Sequence, residues 1–285
     1  MPDIEFRLVD VFTDRPLAGN QLCVVPDAAG LDTELMHAIT REIGFSETSF
    51  VTVASGDRYA MRIFTPGKEM PFAGHPTLGT AFVLVSEGRI ATPATQVVAA
   101  GEFRVRADLD AGTASVRQLP PEFGPELADL ERVARAAGLD PGDLDPETPP
   151  QPVSTGLRHL MVPVRTPEAV AGAEMRPREV AALMADIDCD AMYLFALTDE
   201  GAKARLFAPG VVTSEDPATG SAAGPCGCYL AARDLGGMPG SMVIRQGEEA
   251  GRPSTLHVEV ARDGDEWTVD VGGGVRIVGR GTFNV

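Results

Sequence analysis

The chain has 285 residues, 44% of them apolar and 23% charged. That is a globular balance, long enough for one large domain or two modest ones and too long for a disulfide-stapled module. With 24 Lys and Arg against 41 Asp and Glu the net charge is −17 and no basic stripe occurs, which excludes nucleic acid and anionic membrane surfaces as partners.

In chain order, Ile4–Phe12 alternates as a strand, Leu17-Ala18-Gly19-Asn20 is a turn, and Gln21–Val25 is a second strand. Asp32 is a good N-cap for a helix carrying Leu35, Met36, Ile39 and Ile43 on one face, with Gly44 at its left-handed end. Phe45-Ser46-Glu47 turns into a strand over Thr48–Val53, and Tyr59–Thr65 is the next. After the loop Pro66–Gly74 a helix is expected from near Pro76 to Gly88, then strands at Gln96–Ala100, Phe103–Ala107 and Thr113–Arg117. The proline-rich stretch from Gln118 to Pro125 marks a boundary. Beyond it come a helix over Glu126–Ala137, a non-helical loop over Pro141–Pro152, and strands at His159–Val164, Ala191–Leu197 and Ala202–Phe207. A helix follows Gly220, and hairpin-like strands fill Ser241 to Thr282.

The four cysteines, Cys23, Cys189, Cys226 and Cys228, do not make a disulfide framework. None of His37, His75, His159 and His257 stands at finger-like spacing from Cys226-Gly-Cys228, so no metal site is expected and the pair reads as small buried thiols on a helix. Charges in the first seven residues rule out a secretory signal, and no apolar run approaches a membrane span. The expected compartment is the cytoplasm.

The chain contains an echo of itself. Arg62-Ile63-Phe64-Thr65-Pro66-Gly67 returns as Arg205-Leu206-Phe207-Ala208-Pro209-Gly210, an offset of 143. The helix start His75-Pro76-Thr77-Leu78-Gly79 can be laid on Asp216-Pro217-Ala218-Thr219-Gly220 at 141, which would make the second loop two residues shorter. The expectation is two similar halves, related by pseudo-two-fold symmetry, with a cleft between them. Each half would bring a helix N-terminus, with its unpaired N–H groups and partial positive charge, to clamp a small carboxylate. Small residues at the entrances (Gly74, Thr77, Gly79; Gly220, Ser221, Ala222) would let a ligand approach the backbone. By residue type alone, plainer readings stay open. Asp216 before Pro217 caps a helix, His75 is a satisfied structural histidine, Glu47 is a solvated turn glutamate, and Asn20 is a turn residue.

Val9-Asp10-Val11-Phe12-Thr13, Pro16-Leu17-Ala18-Gly19-Asn20, Phe45-Ser46-Glu47-Thr48-Ser49-Phe50-Val51, Glu69-Met70-Pro71-Phe72-Ala73-Gly74-His75-Pro76-Thr77-Leu78-Gly79, Glu215-Asp216-Pro217-Ala218-Thr219-Gly220-Ser221-Ala222, Gln246-Gly247 and Gly251-Arg252-Pro253-Ser254 run almost the length of the chain. In that order they resemble the PhzF-like family of phenazine-biosynthesis isomerases, which share the diaminopimelate-epimerase fold. The resemblance implies an α+β fold of two pseudo-symmetric halves, each a mostly antiparallel sheet wrapped around a central helix. The halves would be 1–118, with about 279–285 returning to it, and 119–278, with the active site in the cleft. It further implies a cofactor-independent isomerase, a homodimer, acting by proton transfer on a small carboxylated metabolite. For phenazine producers that metabolite is a dihydro-hydroxyanthranilate. The family's acid/base glutamate falls on Glu47, its histidine on His75 and its aspartate on Asp216, and binding positions fall on Asn20, Gly74, Gly220 and Ser221. Ala208 departs from the family, where Ser or Thr is common.

Three alternatives are separable. A binding protein would hold the same acid without washing solvent deuterium into it. An epimerase of the thiol-pair type would need cysteines at the two helix entrances, where this chain has none, leaving a thiol-independent epimerase or racemase. A nucleotide-dependent oxidoreductase would need a Gly-rich turn at a helix start, and Gly272-Gly273-Gly274 lies between expected strands.

Overall fold

The computed structural model of the chain describes residues 3–209 and 215–285. Gly210, the last residue of the second echo copy, lies outside them. The strands are β1 (Asp3–Val11), β2 (Asn20–Val25), β3 (Glu47–Ser55), β4 (Arg58–Phe64), β5 (Glu69–Met70), β6 (Ala94–Val98), β7 (Gly101–Asp108), β8 (Thr113–Arg117), β9 (Glu122–Phe123), β10 (Gln151–Ser154), β11 (Arg158–Pro163), β12 (Ala191–Thr198), β13 (Gly201–Phe207), β14 (Glu215–Asp216), β15 (Gly240–Gln246), β16 (Ser254–Asp263) and β17 (Glu266–Asn284). The helices are α1 (Thr33–Ile43), α2 (Gly74–Ser86), α3 (Leu130–Ala137), α4 (Pro167–Gly172), α5 (Pro177–Ile187) and α6 (Gly220–Ala231). The fold is α+β, and its chain contacts divide into two compact units. One holds the described residues through Arg117 together with Gly272–Val285; the other is Gln118–Val271.

In the first unit the pairing β1-β2-β3-β4-β6-β7-β8 is closed by the C-terminal part of β17, which pairs with both β8 and β1. Only β2–β3 and β4–β6 are parallel; the rest are antiparallel. Inside this ring lies α2, apolar around its whole circumference and buried from Gly74 through Leu84. Leu78, Phe82, Val83 and Leu84 each contribute roughly 1.5–3 kcal/mol by leaving water. Gly79 belongs to this packing: a Cβ there would stand 2.6 Å from the Leu22 side chain, so its smallness serves helix-to-strand contact and not a ligand. On the outside, α1 is capped by Asp32, which accepts from the Leu35 N–H, and ends at Gly44 with φ of 71°. It lays Met36 and Ile39 on Val25, Phe50 and Phe64.

The second unit repeats the plan. β10, β11, β12, β13, β15 and β16 follow one another, with β11–β12 and β13–β15 parallel, and all twelve residues of α6 are buried, Cys226 and Cys228 included. Burial pushes the Cys226 thiol up and that of Cys228 up to about 12, which keeps both inert. Outer helices α3, α4 and α5 cover β11 and β12 through Val133, Val170, Val180, Leu183 and Leu194.

Several local expectations change. Asn20 is not a turn residue: it opens β2, buried and paired with Val11. α2 starts at Gly74, two residues before the expected point. α3 starts only at Leu130, because Asp129 takes the cap by accepting from the Arg132 N–H. Pro141–Asp143 forms a 3₁₀ turn in the loop expected to be irregular. Gly272-Gly273-Gly274 runs inside β17, where a Cβ on Gly274 would meet the Thr13 carbonyl at 2.3 Å. Helices α4 and α5 stand where the expected elements leave a gap between β11 and β12.

Candidate active site

Strand register aligns the two units residue by residue. Phe64 pairs with Thr48 and Glu69, and Phe207 pairs with Met192 and Glu215. The fork of Arg62 holds Glu69 at 2.7 and 2.6 Å while stacking 4.9 Å from the Phe64 ring centre. Arg205 does the same to Glu215, at 2.8 and 2.7 Å, and to Phe207, at 4.9 Å. Carried on to the helices, this equates Glu69-Met70-Pro71-Phe72-Ala73-Gly74-His75 with Glu215-Asp216-Pro217-Ala218-Thr219-Gly220-Ser221, an offset of 146. The second loop is therefore three residues longer, not two shorter. The counterpart of His75 is Ser221, and that of Asp216 is Met70; the equation of His75 with Asp216 does not survive the register. By the same register Glu47 answers to Ala191, and Leu22 to His159.

In the first unit, α1 ends at Gly44 and a short turn delivers Glu47 to the head of β3, beside Leu22 of β2. Asn20 lies two residues back along β2. His75 is the second residue of α2, 5% exposed, with Nε2 3.5 Å from Glu47 Oε2. That oxygen is buried and makes no hydrogen bond, although the whole side chain keeps 18% of its surface. Burial raises the Glu47 pKa above the usual carboxylate value, with the Ser46 hydroxyl pulling the other way. A carboxyl so placed can both take and return a proton. The start of α2 has Ala73 at its N-cap, which supplies no side-chain acceptor to the first turn.

The second unit places Asp216, Gly220 and Ser221 along one turn. Asp216 does not cap α6; it sits on β14 opposite Leu206, and its Oδ2 accepts from Thr219 Oγ1 at 2.6 Å. Thr219 is the N-cap, yet its side chain makes no cap bond, so α6 also begins without a side-chain cap. Gln246, 1% exposed, pins this turn. Its Nε2 donates to the Asp216 carbonyl (2.8 Å) and Thr219 Oγ1 (3.1 Å), and its Oε1 accepts from the Thr219 N–H (3.3 Å) and the Tyr193 hydroxyl (3.1 Å). Gly247 follows with φ of 84°, where a Cβ would stand 2.4 Å from the Pro217 carbonyl. Ser221 Oγ lies 3.1 Å from Nε2 of His159, a residue that sequence reasoning passed over because its partner is 62 residues away and no local motif marks it.

Thus Glu47 and His75 come together in one unit, with Gly74 at the same helix start and Asn20 on the neighbouring strand; Asp216, Gly220 and Ser221 come together in the other. At the second position of each central helix stand His75 and Ser221, not a pair of thiols. Among the described residues no group of three His, Cys, Asp or Glu could hold a metal ion, and no helix is long and apolar enough to cross a membrane.

A family model described as phenazine biosynthesis-like protein matches residues 9–281. The trans-2,3-dihydro-3-hydroxyanthranilate isomerase of Pseudomonas chlororaphis is 34% identical over 283 residues, 98% of each chain. Among solved structures, a PhzF-family phenazine biosynthesis protein of Bacillus anthracis matches with a TM-score of 0.88 at 28% identity over 100% of both chains. A predicted epimerase of Pseudomonas aeruginosa matches with a TM-score of 0.87 at 35% identity over 99% of both.

Proposed function

The chain belongs to the phenazine biosynthesis-like family and is an isomerase, and on that premise we propose that it shifts a proton on a small carboxylated metabolite without a cofactor. The observation that carries this reading is the buried Glu47 carboxyl, 3.5 Å from His75 at an uncapped helix start. Glu47 as carboxylate removes a proton from a carbon next to an unsaturated system. The C–H electron pair moves into that system and a double bond migrates. The same carboxyl, now protonated, returns its proton to a second carbon, so no redox equivalent is needed. His75 and Asp216 orient the substrate. The helix starts at Gly74 and at Gly220 and Ser221, with Asn20, hold its carboxylate and the charge that builds during transfer.

Under this reading both units serve one substrate molecule, the enzyme works as a homodimer, and it acts in the cytoplasm. A dihydroaromatic amino acid of the kind named for the Pseudomonas relative is the first substrate to try. The test is incubation of that acid with enzyme in deuterium oxide, followed by NMR. The expected result is the isomerised product, carrying deuterium at the carbon that receives the proton to the extent that the protonated Glu47 carboxyl exchanges with solvent, with conversion lost in Glu47→Gln. A ligand that binds but is neither isomerised nor deuterated would make the protein a binder of the same fold.

A further inference from the structure

The second unit has lost the carboxylate, since Ala191 stands where the first has Glu47, but it has gained a buried imidazole. His159 is 3% exposed on β11, and α6 packs against that strand. Among the described residues the ring has one polar contact, its Nε2 to Ser221 Oγ at 3.1 Å, and its Nδ1 is buried without a hydrogen-bond partner. Ser221 makes no other side-chain hydrogen bond among the described residues. One proton on the pair therefore decides what Ser221 offers. If Nδ1 carried the hydrogen, a bare N–H would be buried, the Ser221 hydroxyl would donate to Nε2, and lone pairs would face any ligand. If Nε2 carries it, only an acceptor goes unmatched, which folded proteins tolerate better than an orphaned N–H. Burial also holds the ring neutral, with a pKa lowered to about 4.

We propose that His159 is a positioning residue that donates its Nε2–H to Ser221 Oγ, so that the Ser221 hydroxyl is left to donate to the acidic group of the substrate. The proposal rests on the reading above that Ser221 binds the substrate. It explains why a serine whose neighbours at the helix start are N–H donors adds one more donor there: all of them present hydrogen to one anion.

Two measurements test it. The first needs no ligand. Long-range proton–nitrogen NMR on histidine-labelled wild-type protein at pH 7, with His159 assigned from its loss in His159→Gln, should show hydrogen on Nε2, and Ser221→Ala should shift that nitrogen. Hydrogen on Nδ1 overturns the proposal. The second is calorimetric binding of 3-hydroxyanthranilate, the fully aromatic form of the Pseudomonas relative's substrate. His159→Leu should weaken binding about tenfold or more, the size of a hydrogen bond to a charged group, and His159→Gln, which keeps an N–H, should stay within about threefold. In a Ser221→Ala background His159→Leu should add nothing. An equal loss in both backgrounds assigns His159 a packing role and refutes the proposal. Ser221→Ala binding as well as wild type, or no binding to wild type at all, would count against the functional reading. The tautomer would still decide the role of His159.

Discussion

The two units share a scaffold and differ beside the central helix. Arg62, Phe64 and Glu69 in the first are matched in kind and in geometry by Arg205, Phe207 and Glu215 in the second. Within one helical turn of α2 and α6 the match fails: His75 against Ser221, Glu47 against Ala191, Leu22 against His159. Residues that hold a strand to its neighbour cannot change without cost to the sheet, whereas those around a helix start can. On the proposed function the units divide the work there: the first supplies a carboxyl that can exchange a proton, the second donors. The arginines differ too, in degree. Arg62 is about one-third exposed and reaches Thr33. Arg205 is buried and also donates to the carbonyls of Val170, Ala171 and Ala173 at the end of α4.

That division can be broken at several points. The largest effect expected is on rate: Glu47→Gln should lower kcat by roughly 10²–10⁴-fold, read by proton NMR of turnover. Near wild-type turnover would remove the carboxyl from the chemistry. Next, Arg205→Ala should cost about 3–5 kcal/mol in urea denaturation, because it takes a buried guanidinium away from Glu215 and from the carbonyls of Val170, Ala171 and Ala173. Arg62→Ala should cost no more than about 1 kcal/mol. Equal losses would deny the difference in burial.

A third test sets the two buried titrating groups against each other by pH. The His159 pKa is depressed in the fold, so its contribution is complete above the unfolded value near 6.5 and is lost as pH falls through about 4. Up to about 3 kcal/mol should disappear across that window in wild type and not in His159→Gln. Glu47 runs the other way. Its pKa is raised, so its contribution is present below the ordinary carboxylate value of about 4.3 and is lost as pH climbs through the folded value. Glu47→Gln should therefore have a higher Tm than wild type at neutral pH and not at pH 3, the smallest of these effects. A lower Tm at neutral pH would mean that the carboxylate is stabilised where it sits.

Much of this was written in local sequence. Asp32 and Gly44 bracket α1 because capping and left-handed closure are decided within four residues. The internal repeat was visible, but its phase was not. Matching Pro76 to Pro217 hid the better alignment of Glu69-x-Pro71-x-x-Gly74 with Glu215-x-Pro217-x-x-Gly220, which only strand register made plain. α5 could have been found from Pro177 at its first position and Val180, Leu183 and Met184 at helical spacing; α4, six residues long, offers too little period to see. Glu47, Gly74 and His75 were found through resemblance, since nothing in the composition of a turn says that its glutamate will be buried. His159 was out of reach, because its meaning lies in a contact across β11 to α6.

The nineteen-residue strand β17 begins in one unit and ends in the other, and its last residues pair Asn284 with Asp3 and Phe283 with Ile4. During synthesis the later unit can therefore collapse while the earlier ring is still missing a stave. The first unit, made earlier and so usually the first to settle on a ribosome, must here wait until β17 has been synthesised.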